Sequence, residues 1–111
     1  MSYQSKEELV AIFAQAWRTL NPELIVANLD QSFIYDSQWV FESLDYSGYI
    51  DYIRGKFQAI RNTNSNLQIE VVRDPYEGGS MIKITQFNNQ IAYYRIKVKE
   101  GKVIKGDMCA F

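Results

Sequence analysis

The spacing of apolar residues changes near Asn66, and this change limits the fold more than any other feature of the chain. Before Asn66 they recur every three to four residues, which is typical of amphipathic helices. After it, Leu67, Ile69 and Val71 alternate with polar residues, which is typical of strands. Helices followed by consecutive strands predict an α+β fold, and 111 residues fit a single domain spanning residues 1–111.

The first two helices are marked by capping signals. Ser5 is followed three residues later by Glu8, the capping-box pattern in which each side chain binds the other residue's backbone N–H. We expect this helix to end near Asn21. Asn21 and Pro22 then start a second, short helix that is predicted to run to about Leu29.

The stretch from Ser32 to Phe57 joins two aromatic, β-rich runs to a third helix. The runs are Phe33–Asp36 and Trp39–Glu42, and the pattern is compatible with either a hairpin or one bent strand. The helix is predicted from 47 to about 62, with an apolar stripe made of Ile50, Ile53, Phe57 and Ile60. We expect it to form a lid over a pocket, and Gly55 in its middle to mark a close approach to the sheet.

Turn signals divide the rest of the chain into three or four antiparallel strands. They are Pro75–Gly79, the Asn88-Asn89 pair and the Glu100-Gly101 pair. One face of the penultimate strand should pack on the helices through Ala92, Tyr94, Ile96 and Val98. From the other strands we expect the same orientation for Ile82, Ile84, Gln86, Ile104, Met108 and Ala110.

The opposite sheet face is mixed in character. It is predicted to carry Lys83, Thr85, Tyr93, Arg95, Lys105 and Asp107. Such a face is either solvated or a contact between copies of the chain. Because Tyr and Arg are enriched in interfaces, we favour a homodimer through Tyr93 and Arg95.

Charge and residue usage exclude several classes of function. The net charge of −1 gives no field that would attract nucleic acid or an anionic membrane. The chain has no histidine and one cysteine, Cys109, so we expect no metal site and no intrachain disulfide. No apolar run is long enough for a signal peptide or a membrane span. We therefore expect a soluble cytoplasmic protein without a cofactor.

The order of these elements resembles the nuclear transport factor 2-like superfamily, which includes SnoaL-like proteins and ketosteroid isomerase. The most specific part is LDQSFIYDSQWVFESLDYSGYIDYI, with an F-x-Y-D strand at 33–36 and Gly48 near the start of the lid helix. The resemblance implies a cone-shaped, strongly curved antiparallel sheet (a cystatin-like arrangement) covered by three N-terminal helices around an apolar pocket. It also implies dimers formed through the sheet. Enzymes and binding proteins share this fold, so the resemblance does not name a function.

The residues of ketosteroid isomerase carry over only in part. Its catalytic carboxylate, at the end of the first strand, matches Asp36. The Tyr and protonated Asp that stabilise its enolate fall near Phe13 and Ala92, whose side chains donate no hydrogen bond. Because one lost donor costs about 3–4 kcal/mol in comparable sites, this isomerisation is disfavoured unless Tyr94 or Tyr35 substitutes. Relatives that use a histidine are excluded as models, since this chain has none.

Three functions remain open at this stage. The first is binding of a small apolar or aromatic ligand, the second an isomerase, hydratase or cyclase with Asp36 as general base, and the third a dimeric interaction module. Candidate site residues are Tyr35, Asp36, Trp39, Glu42, Tyr46, Gln86 and Tyr94. The competing interpretation is that these aromatic residues only fill the interior and that Asp36 caps a turn.

Overall fold

The chain forms three helices and five strands in a computed structural model that describes residues 3–37, 42–63, 66–86 and 90–109. In chain order the elements are α1 (Lys6–Thr19), α2 (Glu23–Val26), β1 (Leu29–Ser37), α3 (Tyr46–Thr63), β2 (Gln68–Arg73), β3 (Ser80–Thr85), β4 (Ile91–Lys99) and β5 (Lys102–Cys109). The predicted α+β class is confirmed. Within the described ranges, no helix has the length and apolar character required to cross a membrane.

Helix α1 begins with the predicted capping box. Ser5 Oγ accepts a hydrogen bond from Glu8 N at 3.1 Å, and Glu8 Oε1 accepts one from Ser5 N at 3.1 Å. At the other end, Arg61 of α3 donates to the backbone oxygens of Thr19 and Leu20. These carbonyls have no partner within the helix, so Arg61 closes the C-terminus of α1 and ties it to α3.

Helix α2 is shorter than predicted. It comprises only Glu23–Val26, whereas the capping signal suggested a helix to about Leu29. Leu29 instead begins β1 and is buried in the core. Tertiary burial of an apolar side chain therefore decides where the helix stops, which local propensity does not reveal.

The sheet is mixed rather than purely antiparallel as expected. Its strand order is β1-β5-β4-β3-β2. Strands β2 to β5 form the predicted antiparallel meander, but β1 runs parallel to β5 at one edge. The connection between β1 and β5 contains a helix and three strands, and a parallel pair requires such a long crossover.

The chain returns alongside β1 after the strand ends. Tyr35 and Leu44 exchange two backbone hydrogen bonds of 2.8 and 2.9 Å, forming an isolated antiparallel bridge. Of the predicted second aromatic run, residues 39–41 lie outside the described residues. The predicted turn at Asn88-Asn89 also lies outside them, whereas Glu100 and Gly101 have the positive φ angles, 51° and 76°, of a tight hairpin.

A bulge in β5 corrects one predicted orientation. Lys97 pairs with Lys105, but Val98 pairs with Val103, so Ile104 is an extra residue in the ladder. Val103 is consequently buried, while Ile104, which was predicted to face the helices, is only partly buried. The other predicted inner-face residues are buried or half-buried, namely Ile82, Ile84, Gln86, Ala92, Tyr94, Ile96, Val98 and Met108; Ala110 lies outside the described residues.

Helices α1 and α3 cover different parts of the sheet. Helix α1 packs on β2, β3 and β4, and α3 packs on β1. The predicted stripe of α3 faces inward, with Ile53 and Phe57 buried and Ile50 and Ile60 packed against the core. Gly55 is exposed, and a Cβ there would meet no atom within 4 Å, so the expected close approach to the sheet is wrong.

The close approach occurs at Gly106 of β5 instead. A Cβ at this position would collide with Tyr94 Oη and would lie 2.9 Å from Tyr94 Cζ and 3.2 Å from Phe33 Cζ. The absence of a side chain at Gly106 therefore leaves the space that the end of the Tyr94 ring occupies. This space is essential for the packing of the interior.

A matched pair of substitutions tests this assignment. Gly106→Ala should destabilise the protein by about 1–3 kcal/mol, because overpacking forces Tyr94 or the β5 backbone to move. Gly55→Ala, in an open helical position, should stabilise it by about 0.5–1 kcal/mol. Urea denaturation of both variants measures the two effects. Equal stabilities for the two variants would contradict the assignment.

Candidate functional site

Four tyrosines from three elements contact one another in the interior. They are Tyr35 of β1, Tyr49 and Tyr52 of α3, and Tyr94 of β4, and we call them the tyrosine cluster. Ring centroids lie 4.6 Å apart for Tyr35 and Tyr49, 5.6 Å for Tyr35 and Tyr52, and 6.1 Å for Tyr35 and Tyr94. Tyr35, Tyr49 and Tyr94 are buried, and Tyr52 is half-buried. The cluster thus extends from the core toward the surface.

The local sequence explains why these side chains meet. Tyr49 and Tyr52 are three residues apart on α3 and therefore share one side of the helix. Tyr35 has the inward orientation of alternate β1 residues, as does Phe33, which lies 4.9 Å from the Tyr49 ring. Tyr94 reaches the same point from β4 across the space left at Gly106.

The three buried hydroxyl groups of the cluster are neutral. Tyr49 Oη and Tyr94 Oη are 3.0 Å apart and hydrogen-bonded in a buried position. Burial raises the pKa of Tyr35, Tyr49 and Tyr94 above the ordinary phenol value of 10.0. All three phenols therefore remain protonated at physiological pH, and one of the Tyr49 and Tyr94 hydroxyls already donates to the other.

The cluster includes only two of the predicted site residues, Tyr35 and Tyr94. Tyr46 is half-buried and packs against the core, and Gln86 is half-buried at the β3–β4 hairpin, where its N–H donates to Gln90 O. Glu42 is exposed, and Trp39 lies outside the described residues. Their roles as ligand contacts stay predictions.

Sequence reasoning missed Tyr49 and Tyr52. The predicted stripe of α3 was read from its isoleucines and Phe57, and the tyrosines were left out. The signal that could have found Tyr49 is its spacing: Tyr49, Ile53 and Phe57 are four residues apart in turn, and all three are buried. Tyr52 then lies beside Tyr49 on the same side of the helix.

Asp36 faces away from the tyrosine cluster. Successive strand residues point to opposite faces, so Asp36 lies on the outer face of the sheet while Tyr35 lies inside. There its Oδ2 is 3.5 Å from Lys105 Nζ, and it accepts a hydrogen bond from Ser43 Oγ. Its side chain is 42% exposed. In this geometry the carboxylate of Asp36 is ion-paired and lies away from the apolar interior. Its role as a general base stays a prediction.

Lys105 also approaches a second carboxylate on this outer face. Its Nζ is 3.9 Å from Asp107 Oδ1, and Asp107 pairs with Asp36 across the strands. Burial raises the pKa of Asp107, and the positive charge of Lys105 opposes that effect. Among the residues that the structure describes, no group of three or more acidic, Cys or His side chains could hold a metal ion.

Arg95, predicted as an interface residue, anchors the turn between β2 and β3. Its guanidinium donates two hydrogen bonds to the carboxylate of Asp74, and its Nε is 3.5 Å from Glu77 Oε2. The Asp74 side chain is fully buried and also accepts from the backbone N–H of Tyr76 and Glu77. Arg95 is only 15% exposed, so much of its surface is occupied within the chain. The homodimer through Tyr93 and Arg95 stays a prediction.

The Arg95–Asp74 pair predicts a dependence of stability on pH. The hydrogen bond from Arg95 lowers the pKa of Asp74 from 3.8 to about 2. Because Asp74 has a lower pKa in the folded state than in the unfolded state, the pair's contribution to stability is fully present above about pH 4 and is lost as pH falls toward 2. It amounts to at most about 2 kcal/mol, less where solvent screens the pair.

Urea denaturation between pH 7 and pH 2.5 measures this effect. Asp74→Asn should be less stable at pH 7 and should lose less stability on acidification than the unsubstituted protein. Asp51→Asn, at an exposed position of α3, is the matched control and should follow the unsubstituted curve. The prediction would be refuted if the free energy of unfolding fell in parallel with pH for all three proteins.

The Tyr49–Tyr94 hydrogen bond predicts a non-additive mutant cycle. Tyr49→Phe or Tyr94→Phe leaves one buried hydroxyl without this partner and should cost about 1–3 kcal/mol. The double variant removes both hydroxyls and should lose clearly less than the sum of the two single losses. Tyr3→Phe, at an exposed position, should have little effect. Additive losses in urea denaturation would show that the two hydroxyls are not coupled.

Comparison with known proteins gives the fold a wider context. No protein-family model matches the chain, and no curated protein sequence matches it significantly. Several solved structures are similar over nearly its whole length. A SnoaL-like protein of unknown function from Burkholderia thailandensis superposes with a TM-score of 0.70 at 14% identity, covering 97% of this chain and 99% of that one.

Two further structures carry names of enzymes. A candidate ketosteroid isomerase from Kribbella flavida has a TM-score of 0.67 and 14% identity, covering 95% of this chain and 76% of its own. An LEH-like epoxide hydrolase from M. tuberculosis has a TM-score of 0.65 and 11% identity, and the match covers 95% of this chain and 81% of that one. At these identities the similarity concerns architecture alone. The chain thus has the fold of the SnoaL-like and nuclear transport factor 2-like proteins, as its sequence predicted.

Proposed function

We propose that this domain binds a small, neutral apolar or aromatic molecule between helices α1 and α3 and the sheet, against the tyrosine cluster. The observation that carries the proposal is the cluster itself, in which four aromatic rings are packed together and the three buried hydroxyls, of Tyr35, Tyr49 and Tyr94, remain protonated. Sites for small molecules are mostly apolar and aromatic, with a few polar groups that fix orientation. The cluster has that composition.

The half-buried Tyr52 marks the side from which a ligand would enter. Its ring contacts the rings of Tyr35 and Tyr49 on the inside, and Lys56 Nζ lies 5.8 Å from its centroid on the outside. Because the inner rings already contact one another, an entering molecule has to replace ring contacts with its own. This requirement favours flat or compact ring compounds over extended chains.

The charges of the interior favour a neutral ligand. Among the described residues, the only buried charged side chain is Asp74. It is paired with Arg95, which lies on the outer face of β4, whereas Tyr94 lies inside. An ionic ligand would be desolvated without a counter-charge, which is costly in an apolar interior.

Catalysis that depends on Asp36 has less support than ligand binding. The neighbouring structures include proteins named as a ketosteroid isomerase candidate and an epoxide hydrolase, and those names concern those proteins. In this chain the carboxylate of Asp36 is paired with Lys105 on the outer face of the sheet. A base in that position would act on a molecule outside the interior. We therefore place binding before catalysis.

A thermal-shift series with neutral ring compounds tests the proposal. A compound present at 100 times its dissociation constant should stabilise the domain by about 2.7 kcal/mol, which corresponds to a rise in Tm of roughly 10 °C for a domain of this size. Tyr35→Phe should weaken binding about 3–10-fold through loss of one hydroxyl.

Asp36→Asn is the matched control for Tyr35→Phe. The two residues are neighbours in β1 but lie on opposite faces, so Asp36→Asn should leave the affinity unchanged. A series in which no ring compound stabilises the domain would contradict binding in the interior. A loss of affinity confined to Asp36→Asn would move the site to the outer face.

A further inference from the structure

Trp17 of α1 lies in the same interior as the tyrosine cluster. Its side chain is 2% exposed and meets Phe57 of α3 edge to face, with centroids 4.9 Å apart. One helical turn earlier, Phe13 lies 6.2 Å from the ring of Tyr94. Since residues four apart share a helix face, Trp17 continues the aromatic lining that Phe13 begins.

The indole nitrogen of Trp17 has no hydrogen-bond partner. Within the described ranges it is the only buried side-chain nitrogen or oxygen that lacks a hydrogen-bond partner. A buried donor without an acceptor is destabilising, so native interiors seldom keep one. The hydroxyls of Tyr49 and Tyr94 differ, because they are hydrogen-bonded to each other.

We propose that Trp17 Nε1 donates a hydrogen bond to the oxygen of a bound carbonyl compound. The inference rests on the proposed function and specifies the class of ligand. An indole N–H can only donate, so the ligand must offer an acceptor. The interior has no buried cation among the described residues, so a ketone or ester oxygen fits better than a carboxylate. The ligand is a neutral ring compound with one carbonyl directed at Trp17.

Two other acceptors compete with a ligand at this position. A single buried water commonly satisfies a buried polar group. The face of the Phe57 ring could also accept the N–H weakly, since the two rings meet edge to face. Each alternative gives a different experimental result.

Matched pairs of ligands separate these cases. The pairs are 1-tetralone with tetralin and cyclohexanone with cyclohexane, which differ only by the carbonyl. We expect each ketone to bind about tenfold more tightly than its hydrocarbon. In Trp17→Phe, which retains an aromatic ring, this preference should disappear while the hydrocarbon still binds.

The indole N–H resonance gives a readout that does not depend on a substitution in the titrated protein. In ¹⁵N-labelled protein the Trp17 signal, assigned from its persistence in Trp39→Phe, should move downfield with 1-tetralone and not with tetralin. The signal of Trp39, the other tryptophan, provides an internal comparison. This measurement remains decisive if Trp17→Phe folds poorly.

The remaining outcomes overturn the proposal in distinguishable ways. Equal binding of ketone and hydrocarbon, with an unmoved Trp17 signal, would refute the carbonyl contact and leave the proposed function standing. A magnetisation transfer from water to Trp17 Nε1–H that persists in the ligand-saturated protein would assign the acceptor to water. A Trp17 signal that the ketone leaves unmoved, and that receives no magnetisation from water, would leave the Phe57 ring as its acceptor. Failure of every ring compound to bind would refute the proposed function, and the carbonyl contact with it.

Discussion

The interior depends on the contact between the ring of Tyr94 and the backbone of β5 at Gly106. Only a residue without a side chain leaves room for the ring at this point. From there Tyr94 contacts Phe13 of α1, Tyr35 of β1 and, through its hydroxyl, Tyr49 of α3. One aromatic side chain therefore connects both long helices with three neighbouring strands. Displacement of the Tyr94 ring from Gly106 would disturb the core and the proposed ligand contacts together.

The alternation of β1 separates two chemical environments. Tyr35 belongs to a dry aromatic interior, and the next residue, Asp36, belongs to an outer face where Lys105 and Asp107 surround it with charge. A carboxylate in the interior would need a counter-charge or would become protonated. The strand avoids this cost by keeping its acid outside. In the proposed function, recognition inside the domain therefore relies on neutral donors rather than on an ionised base.

The sequence predicted what depends on local pattern. The capping box at Ser5, the helix α1, the meander after residue 66 and the inward orientation of Tyr94 all follow from spacing and turn chemistry, and the structure confirms them. The overall architecture followed from the order of the elements, supported by the resemblance to a known superfamily. These features require no knowledge of which distant segments meet.

The features that sequence reasoning missed depend on how segments pair and pack. The parallel pairing of β1 with β5 and the approach of Phe33 to Gly106 involve residues far apart in the chain, and the bulge at Ile104 depends on the register of β4 against β5. Gly55 and Gly106 illustrate the difficulty, because the sequence gives no sign of which glycine contacts another element. The orientation of Asp36 has the same origin: the motif matched, but the face on which it lies depends on the register of the whole strand.

The two outer strands of the sheet are not equivalent. On the free side of β1, Leu44 already forms two backbone hydrogen bonds with Tyr35, whereas β2 ends the sheet on the other side. An additional strand from another molecule would have to displace Leu44 to extend the sheet beyond β1. At β2 it would find main-chain N–H and C=O groups that no neighbouring strand of the described sheet occupies. Strand addition would therefore displace fewer main-chain pairs at β2 than beyond β1, although Arg18 of α1 already donates to one β2 carbonyl, Ile69 O, at 3.2 Å.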